Sequence, residues 1–488
     1  MKKIICLVCT SMGLNFAHAV DLGGLDLTFS ADGITDGFDV SGVLGYNRYG
    51  ADVEVDSQGR IYVVGTYDTD FNGQMVKEAR VERRLKNGDL DTTFDTDGVV
   101  KLALPPSGWN QFEYELAVDS SDGVFVGYSR EYCQTDNNCE AEVYVYHYNA
   151  NGFKVGGQQI EFDLGSTDDR IDDNFSDMVY VPSINKLAIA ATVERTNVND
   201  TDFGIAVLDV NPTSGALTID NTFSTDGKSQ CWFDHAGGGG SEDNASAIVY
   251  NPYNQTYIVG GSAFEGNGSN ADGWNMAFCE FDMSGALVKS WSTQSGNIAF
   301  DSREFVADMI YTYDGPFGIG PRLLVAGSAS GDGGTDFTIT RYMEDQLGQW
   351  VPDTAFGENP NGSSVVGFNY IFVGDTSDYA AEMVVEEDGG FVIAGSAGWE
   401  DNNQQSHSAV TMARFTQNGF LDTNWGIGHS GKAVHTFNAT SFWDYAHGLA
   451  YDPVSEELYI TGWSYNGDFQ SLVANFHNDM IFGGNFDF

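Results

Sequence analysis

Basic side chains are scarce in this sequence. Its 488 residues include 22 Lys and Arg against 70 Asp and Glu, which gives a formal net charge of −48 at pH 7. Nucleic acids are bound through Lys and Arg contacts with phosphates, so the shortage argues against a nucleic-acid partner. It argues equally against an anionic membrane surface, which recruits basic segments. The excess acid either keeps the protein soluble or supplies carboxylate ligands for a divalent cation such as calcium.

Long apolar runs are missing after Phe16. The start itself has the organisation of a secretory signal peptide, with Lys2-Lys3, an apolar stretch from Ile4 to Phe16, and Ala17-His18-Ala19 as the cleavage site. We therefore expect residues 1–19 to be removed and residues 20–488 to form an exported domain, periplasmic or extracellular. With no later apolar run long enough to span a bilayer, no membrane insertion is expected.

Cysteine is also sparse, and no C-x-x-C metal or redox motif occurs after residue 19. The four cysteines that follow the leader favour disulfide bonds in an exported chain. Cys133 and Cys139 flank a short loop and are predicted to form a local disulfide. Cys231 and Cys279 are the remaining pair, and their spacing does not decide whether they bond.

What the sequence has instead is a repeat. Seven apolar strands fall in one column, ending at Gly65, Gly127, Ala191, Gly261, Gly327, Gly395 and Gly462, at intervals of 62 to 70 residues. Each is preceded by another strand and a turn rich in Asp, Asn and Gly, and is followed by a third strand and a short fourth one. Strands bounded by such turns, with no helical pattern, indicate an all-β protein.

Four-stranded units that repeat radially are the blades of a β-propeller. The sequence predicts seven four-stranded blades in a single domain over residues 20–488. A strand of the fourth type near 33–40 precedes every complete unit, and the last unit lacks one. We predict that this N-terminal strand completes the last blade and closes the ring, which removes exposed sheet edges.

A motif of the form D-x-[TAN]-[FW] recurs between the third and fourth strands, as at Asp91–Phe94 and Asp422–Trp425. Its Asp can bond to backbone two residues on, and its aromatic ring can plug between blades, so we interpret the motif as structural. With the D-G turns and the R-Y/F-x-x-x-G hairpins, the units resemble the delta-60 repeat family of exported bacterial proteins. The resemblance covers most of residues 20–488, implies a β-propeller-like fold, and carries no catalytic residues to transfer.

The first strand of most units begins with an aromatic residue followed by an acid. The acids are Asp52, Glu115, Asp177, Asp308 and Glu382, with Ala247 and Gly448 in the other two units. The first strand should be innermost, so these side chains should gather around the central channel, where like charges repel unless a cation lies among them. They are candidate metal ligands, for calcium above all. The alternative is a solvated channel edge with ordinary acids.

The sequence contains few catalytic signatures. No G-x-S-x-G, H-E-x-x-H or EF-hand pattern occurs. His447 and Tyr445, in the first-strand column, are the candidate acid and base, and a packed histidine is the alternative. The sequence thus predicts an exported, non-enzymatic binding or scaffold protein, monomeric and calcium-stabilised, with a protein or glycan ligand. The alternative is a propeller-fold hydrolase or lyase acting on a polysaccharide or other polymer.

Overall fold

The computed structural model describes most of the chain after Gly24. The described residues are 24–29, 38–41, 47–71, 74–102, 109–135, 138–162, 172–196, 200–233, 242–264, 273–293, 303–313, 320–331, 334–357, 368–371, 376–400, 405–426, 428–437, 443–465 and 467–478. These residues form β-strands and turns without an α-helix, as predicted. The expected signal peptide, residues 1–19, lies outside the described residues.

Seven antiparallel sheets contain all 30 strands of the described chain. Blade 1 contains β2 Arg48–Val55, β3 Ile61–Phe71, β4 Gln74–Arg84 and β5 Val99–Lys101. Blade 2 contains β6 Trp109–Val118, β7 Val124–Thr135, β8 Asn138–Tyr148 and β9 Lys154–Ile160. Blade 3 contains β10 Asp173–Val181, β11 Lys186–Thr196, β12 Asp200–Val210, β13 Leu217–Ile219 and β14 Lys228–Cys231. Blade 4 contains β15 Asp243–Asn251, β16 Thr256–Phe264, β17 Trp274–Asp282 and β18 Leu287–Ser292. Blade 5 contains β19 Glu304–Tyr313, β20 Pro321–Gly331, β21 Gly334–Glu344, β22 Trp350–Pro352 and β23 Phe368–Ile371. Blade 6 contains β24 Asp378–Val385, β25 Phe391–Glu400, β26 Ser406–Phe415 and β27 Lys432–His435. Blade 7 contains β28 Asp444–Asp452, β29 Glu457–Tyr465, β30 Phe469–His477 and the N-terminal strand β1 Phe38–Ser41.

The seven blades form a seven-bladed β-propeller. The first strand of each blade is innermost and contacts the first strand of the next blade, all the way round from β2 to β28 and back to β2. In blades 3 and 5 the fourth strand is split into two pieces that both pair with the third strand. The core is accordingly divided into seven apolar layers, each shared by two neighbouring blades. Because both faces of each blade are covered, the strands read as apolar runs.

The N-terminal strand closes the ring as predicted. Strand β1 pairs antiparallel with β30, so blade 7 has the order β1-β30-β29-β28. The segment before β1 adds a bridge between Leu25 and Phe476, and Phe29 packs in the layer between blades 7 and 1. The two ends of the chain are therefore held together by main-chain hydrogen bonds.

The D-x-[TAN]-[FW] motif has the structural role that its sequence suggests. In blade 1 the Thr93 N–H donates to Asp91 Oδ1 at 3.0 Å, and Phe94 is fully buried. The guanidinium of Arg83 lies 4.8 Å above the Phe94 ring, pairs with Asp91, and donates to the carbonyl of Ala150 in blade 2. One motif thus joins a turn, a third strand and the neighbouring blade.

The turn that receives the motif is built on glycine. Phe356 of blade 5 packs so closely on Gly419 of blade 6 that a Cβ there would meet its ring at 2.6 Å, and Gly419 has a φ of +79°. Glycine tolerates this conformation without strain. The N-G turns and the aromatic plugs are therefore two halves of one inter-blade contact.

A disulfide joins two blades. Cys231 in β14 of blade 3 bonds to Cys279 in β17 of blade 4, with Cα atoms 6.4 Å apart, inside the apolar layer between these blades. Cys133 and Cys139 are register partners in β7 and β8. Their side chains are outside the described part of the chain, so that bridge stays a prediction. Within the described residues, no helix is long and apolar enough to cross a membrane.

Replacing Phe94 with Ala should destabilise the ring strongly. The change removes a ring that packs edge-on against Tyr62 and beneath Arg83, and leaves a cavity. We expect a loss of about 3–5 kcal/mol in the free energy of unfolding, measured by chemical denaturation. The control is Phe153→Ala, because Phe153 is 59% exposed. Equal losses in the two variants would contradict the inter-blade role.

Candidate functional site

Every innermost strand has a bulge at the same place. The register with the second strand shifts at Gly50/Asp52, Phe112/Glu115, Phe175/Asp177, Ala245/Ala247, Val306/Asp308, Ala380/Glu382 and Ala446/Gly448. The bulge divides the central channel into two parts. A wide mouth is lined by residues before and at the bulge, and a narrower neck is lined by residues after it, including the acids. Bulges commonly re-aim side chains next to functional sites.

The five predicted acids are brought together in the neck, where four of them join blades. Asp52 accepts a hydrogen bond from the Leu116 N–H of blade 2 at 2.7 Å, and Asp177 accepts one from Ile248 N–H of blade 4 at 2.7 Å. The other two such bonds run from Met383 N–H to Asp308 and from Leu449 N–H to Glu382. Carboxylates accept strong hydrogen bonds from N–H donors. The acid column therefore ties neighbouring blades together at the axis.

Glu115 instead shares a hydrogen bond with Asp52, and Glu54 is a sixth acid in the neck. Burial, together with the neighbouring carboxylates, raises the pKa of Glu54 and of Asp177 to about 8. Burial raises the pKa of Asp308 to about 7 and that of Asp52 to about 6, although backbone N–H donors oppose the shift. Several of these groups therefore hold protons near neutral pH, which relieves their mutual repulsion.

The neck acids do not form a chelating cluster. In the described chain, one group brings three ligand atoms within 4.8 Å of one another, and it consists of Asp26, Glu457 and His477, away from the neck. Calcium at the acid column stays a prediction. The acids form hydrogen bonds between blades. This structural role differs from both interpretations of the sequence, the cation site and the solvated channel edge.

The mouth is a cavity of about 920 Å³ with aromatic walls. Its aromatic lining residues are Tyr49, Phe112, Tyr114, Phe175, Tyr379, Tyr445 and Trp463. The Trp463 ring stacks on Tyr445 with centroids 4.3 Å apart, and meets the Tyr49 ring edge-on at 6.3 Å. Tyr379, on the innermost strand of blade 6 next to blade 7, is 52% exposed. A wide cavity with exposed aromatic walls and a few polar groups is the usual form of a ligand site.

The residues at the bulges break the symmetry of the mouth. In five blades the bulged residue is small, namely Ala51, Ser176, Ser246, Ala307 and Ala381. Blade 7 has His447 there, and blade 2 has Glu113 and Tyr114. Glu113 adopts a φ of +55°, a strained conformation for a residue with a side chain. The ionisable groups therefore lie on blades 7 and 2, on either side of blade 1.

His447 and Tyr445, the two catalytic candidates, both line the mouth and both contact Trp463. Trp463 Nε1 donates to His447 Nε2 at 3.1 Å, so the neutral imidazole carries its proton on Nδ1. His447 is exposed to the cavity, and desolvation by the surrounding channel walls lowers its pKa, which favours the neutral form. Tyr445 is held by stacking.

Glu113 is the ionisable residue that the sequence did not single out. Glu113 is exposed to the mouth, and its carboxylate accepts a hydrogen bond from Ser129 Oγ at 3.1 Å. Desolvation by the channel walls raises its pKa to about 7. A group with this pKa can take up and release protons near neutral pH. Comparing the bulge residue across the seven units would have identified Glu113 and His447 together, because the other units carry Ala or Ser.

Comparisons with known proteins assign no family to the chain. No protein-family model matches the sequence, and no curated protein matches it. Solved structures that it resembles include Sqt1 of Chaetomium thermophilum, with a TM-score of 0.36 and 10% identity over 89% of this chain and 96% of that one. The GH93 α-L-arabinofuranosidase of Fusarium graminearum gives 0.39 and 12% identity over 75% and 93%. The Trypanosoma rangeli sialidase gives 0.39 and 12% over 80% and 57%. These similarities are too low to carry a functional argument.

The neck acids predict that stability falls as pH rises. A carboxyl whose folded pKa is raised keeps a proton that the unfolded chain releases above about pH 4, so its contribution to stability is lost between about pH 4 and pH 8. We expect the melting temperature to decrease over this range. Glu54→Gln should flatten the decrease and raise the melting temperature at pH 8, because Gln cannot ionise.

The control for this experiment is Glu387→Gln, since Glu387 is exposed at a turn of blade 6. Thermal melts across the pH range measure both variants and the unaltered protein. A melting temperature that increases with pH, or the same curve for both variants, would contradict the assignment.

Proposed function

We propose that this protein is an exported binding protein whose aromatic mouth takes a carbohydrate chain. The observation that carries the proposal is the wall formed by Tyr49, Tyr445 and Trp463 beside a cavity of about 920 Å³. Aromatic rings offer large apolar contact area at little entropic cost, and the C–H faces of sugar rings pack on them. Sugar hydroxyls would be met by His447, Glu113 and the Asn and Ser side chains of the lining.

Charge narrows the class of carbohydrate. The formal net charge of −48 repels polyanions. Neutral polysaccharides and amino-sugar polymers are therefore the favoured ligands, and acidic ones such as alginate are disfavoured.

Affinity electrophoresis in gels containing xylan, arabinan, laminarin or alginate tests this proposal. We expect retardation by at least one neutral polymer and none by alginate. Trp463→Ala should weaken binding roughly 10- to 100-fold, about 1.4–2.8 kcal/mol, because it removes the ring that organises the wall. The control is Trp232→Ala, since Trp232 is half exposed directly after the fourth strand of blade 3. No retardation by any polymer, or equal weakening by both substitutions, would count against the mouth.

The second candidate function is cleavage of such a polymer, and the asymmetry of the mouth favours it. Glu113, with its pKa near 7, would transfer the proton, and the Nδ1–H of His447 would donate a hydrogen bond to the substrate. This assignment moves the acid–base role from the His447 and Tyr445 pair to Glu113.

Release of reducing ends, or of unsaturated products, from the same polymers tests the enzymatic alternative. Glu113→Gln should reduce turnover at least roughly 100-fold without weakening retardation in the gel. Glu387→Gln, at an exposed turn, should leave turnover unchanged. If the unaltered protein releases no product, the enzymatic alternative is wrong and only the binding function remains.

The blade motifs also support two broader proposals. We propose that the chain is a member of the delta-60 repeat family, because the Asp–aromatic clasp and the glycine turns that define its units are the contacts between its blades. We also propose that it is exported, on the strength of the leader-like residues 1–19 and the disulfide between blades 3 and 4.

A further inference from the structure

In most blades that carry the D-x-[TAN]-[FW] motif, a fixed cation neutralises its aspartate. In blades 1, 5 and 6 this cation is an arginine of the third strand, and the pairs are Asp91 with Arg83, Asp353 with Arg341, and Asp422 with Arg414. In blade 3 Lys186 lies 2.6 Å from Asp220. The repeats therefore show what this position requires, which is a positive charge beside the carboxylate.

Blade 7 has the aspartate without the arginine. Its motif is Asp26–Phe29, contributed by the N-terminal segment that closes the ring. The Asp26 N–H donates to the carbonyl of Asn475, just as the corresponding aspartates of blades 1, 5 and 6 donate to the carbonyls of their arginines. Asn475 thus occupies the arginine position, and its neutral amide approaches Asp26 Oδ2 at 3.4 Å.

Two ionisable side chains lie beside this aspartate. Glu457 and His477 are register partners in β29 and β30, and His477 Nε2 is 3.5 Å from Asp26 Oδ1. One ligand atom from each of Asp26, Glu457 and His477 falls within 4.8 Å of the other two. Ligands of a tetrahedral zinc ion, bound at about 2.0–2.2 Å, lie roughly 3.3 Å apart. The Asp26–His477 pair already has that spacing.

The amide of Asn475 is a separate observation at the same place. The side chain is fully buried, and its Oδ1 makes no hydrogen bond. Exchanging the amide oxygen and nitrogen, which are assigned only from their partners, would set an oxygen beside Asp26. Two oxygens are a stable arrangement there only when a cation lies between them, and a bound ion would satisfy both.

We propose that Asp26, Glu457 and His477 bind a divalent transition-metal ion such as Zn²⁺, which supplies at the ring closure the charge that arginine supplies in blades 1, 5 and 6. An imidazole with two carboxylates is a ligand set for zinc and its neighbours, whereas calcium takes oxygen ligands alone. Because Asp26 belongs to the N-terminal segment and the other two ligands to the last blade, the ion fastens the two ends of the chain to each other. The site is distinct from the mouth and the neck.

The test uses the whole protein, stripped with EDTA and titrated with ZnCl₂ or CaCl₂. We expect one equivalent of zinc to bind by calorimetry and the melting temperature to rise by about 5 °C in excess zinc, with no such rise in calcium. His477→Gln should abolish the zinc response. The control is His429→Gln, because His429 is exposed at a turn of blade 6 and should leave the response intact.

Asn475→Arg is the decisive variant, since it installs the guanidinium of the other blades. It should melt near the temperature of the zinc-loaded protein and should no longer respond to zinc. Zinc bound equally by His477→Gln would overturn the proposal. So would an unaltered protein that binds no zinc by calorimetry and whose melting temperature zinc does not change. A calcium response that persists in His477→Gln would place the ion elsewhere and would overturn it too.

Discussion

The N-terminal strand β1 completes the last blade by pairing with β30. Seven blades can cover both of their faces only through the contact between the first blade and the last. Without it, Val53 and Ile61 of blade 1 and Tyr459 of blade 7 would each lose the surface against which they pack. Blade 7 is therefore the one place where the fold depends on residues from both ends of the chain. The other six apolar layers are formed by blades that follow each other directly in sequence.

Electrostatics follow from the same geometry. Five of the seven units carry an acid at the same position of the innermost strand, so closing the ring brings these carboxylates together at its axis. The fold accommodates them by giving Asp52, Asp177 and Asp308 backbone N–H donors from the neighbouring blade and by keeping several of the groups protonated. On the outer part of the ring, arginines and a lysine balance the aspartates of the blade motif.

The sequence predicted the architecture because the repeat is strict. The column of seven aligned strands, most of them ending in glycine, predicted seven blades. The unmatched strand near residues 33–40 predicted how the ring closes, and the structure places this strand at Phe38–Ser41. It also identified the five neck acids, since they recur in register. Their role could not be predicted, because Asp52 meets Leu116 only through the packing of one blade on the next.

The mouth was predicted only in part, through His447 and Tyr445. Which residue of a strand is bulged depends on its cross-strand register, so Glu113 read as an ordinary strand residue. The disulfide between Cys231 and Cys279 was equally hidden, because its cysteines belong to different units and meet only when blades 3 and 4 stack.

The place of that disulfide in the ring has a mechanical consequence. In a seven-membered ring, the junction of blades 3 and 4 lies diametrically opposite blade 7. Repeat arrays lose structure from their free ends inward, each unit being supported by its neighbours. An opened ring would have such ends only at the closure, and fraying would advance from there along two arms, blades 1 to 3 on one side and blades 7 to 4 on the other. Both arms end at the cross-linked blades 3 and 4. The disulfide therefore lies where loss of structure from either side would reach last.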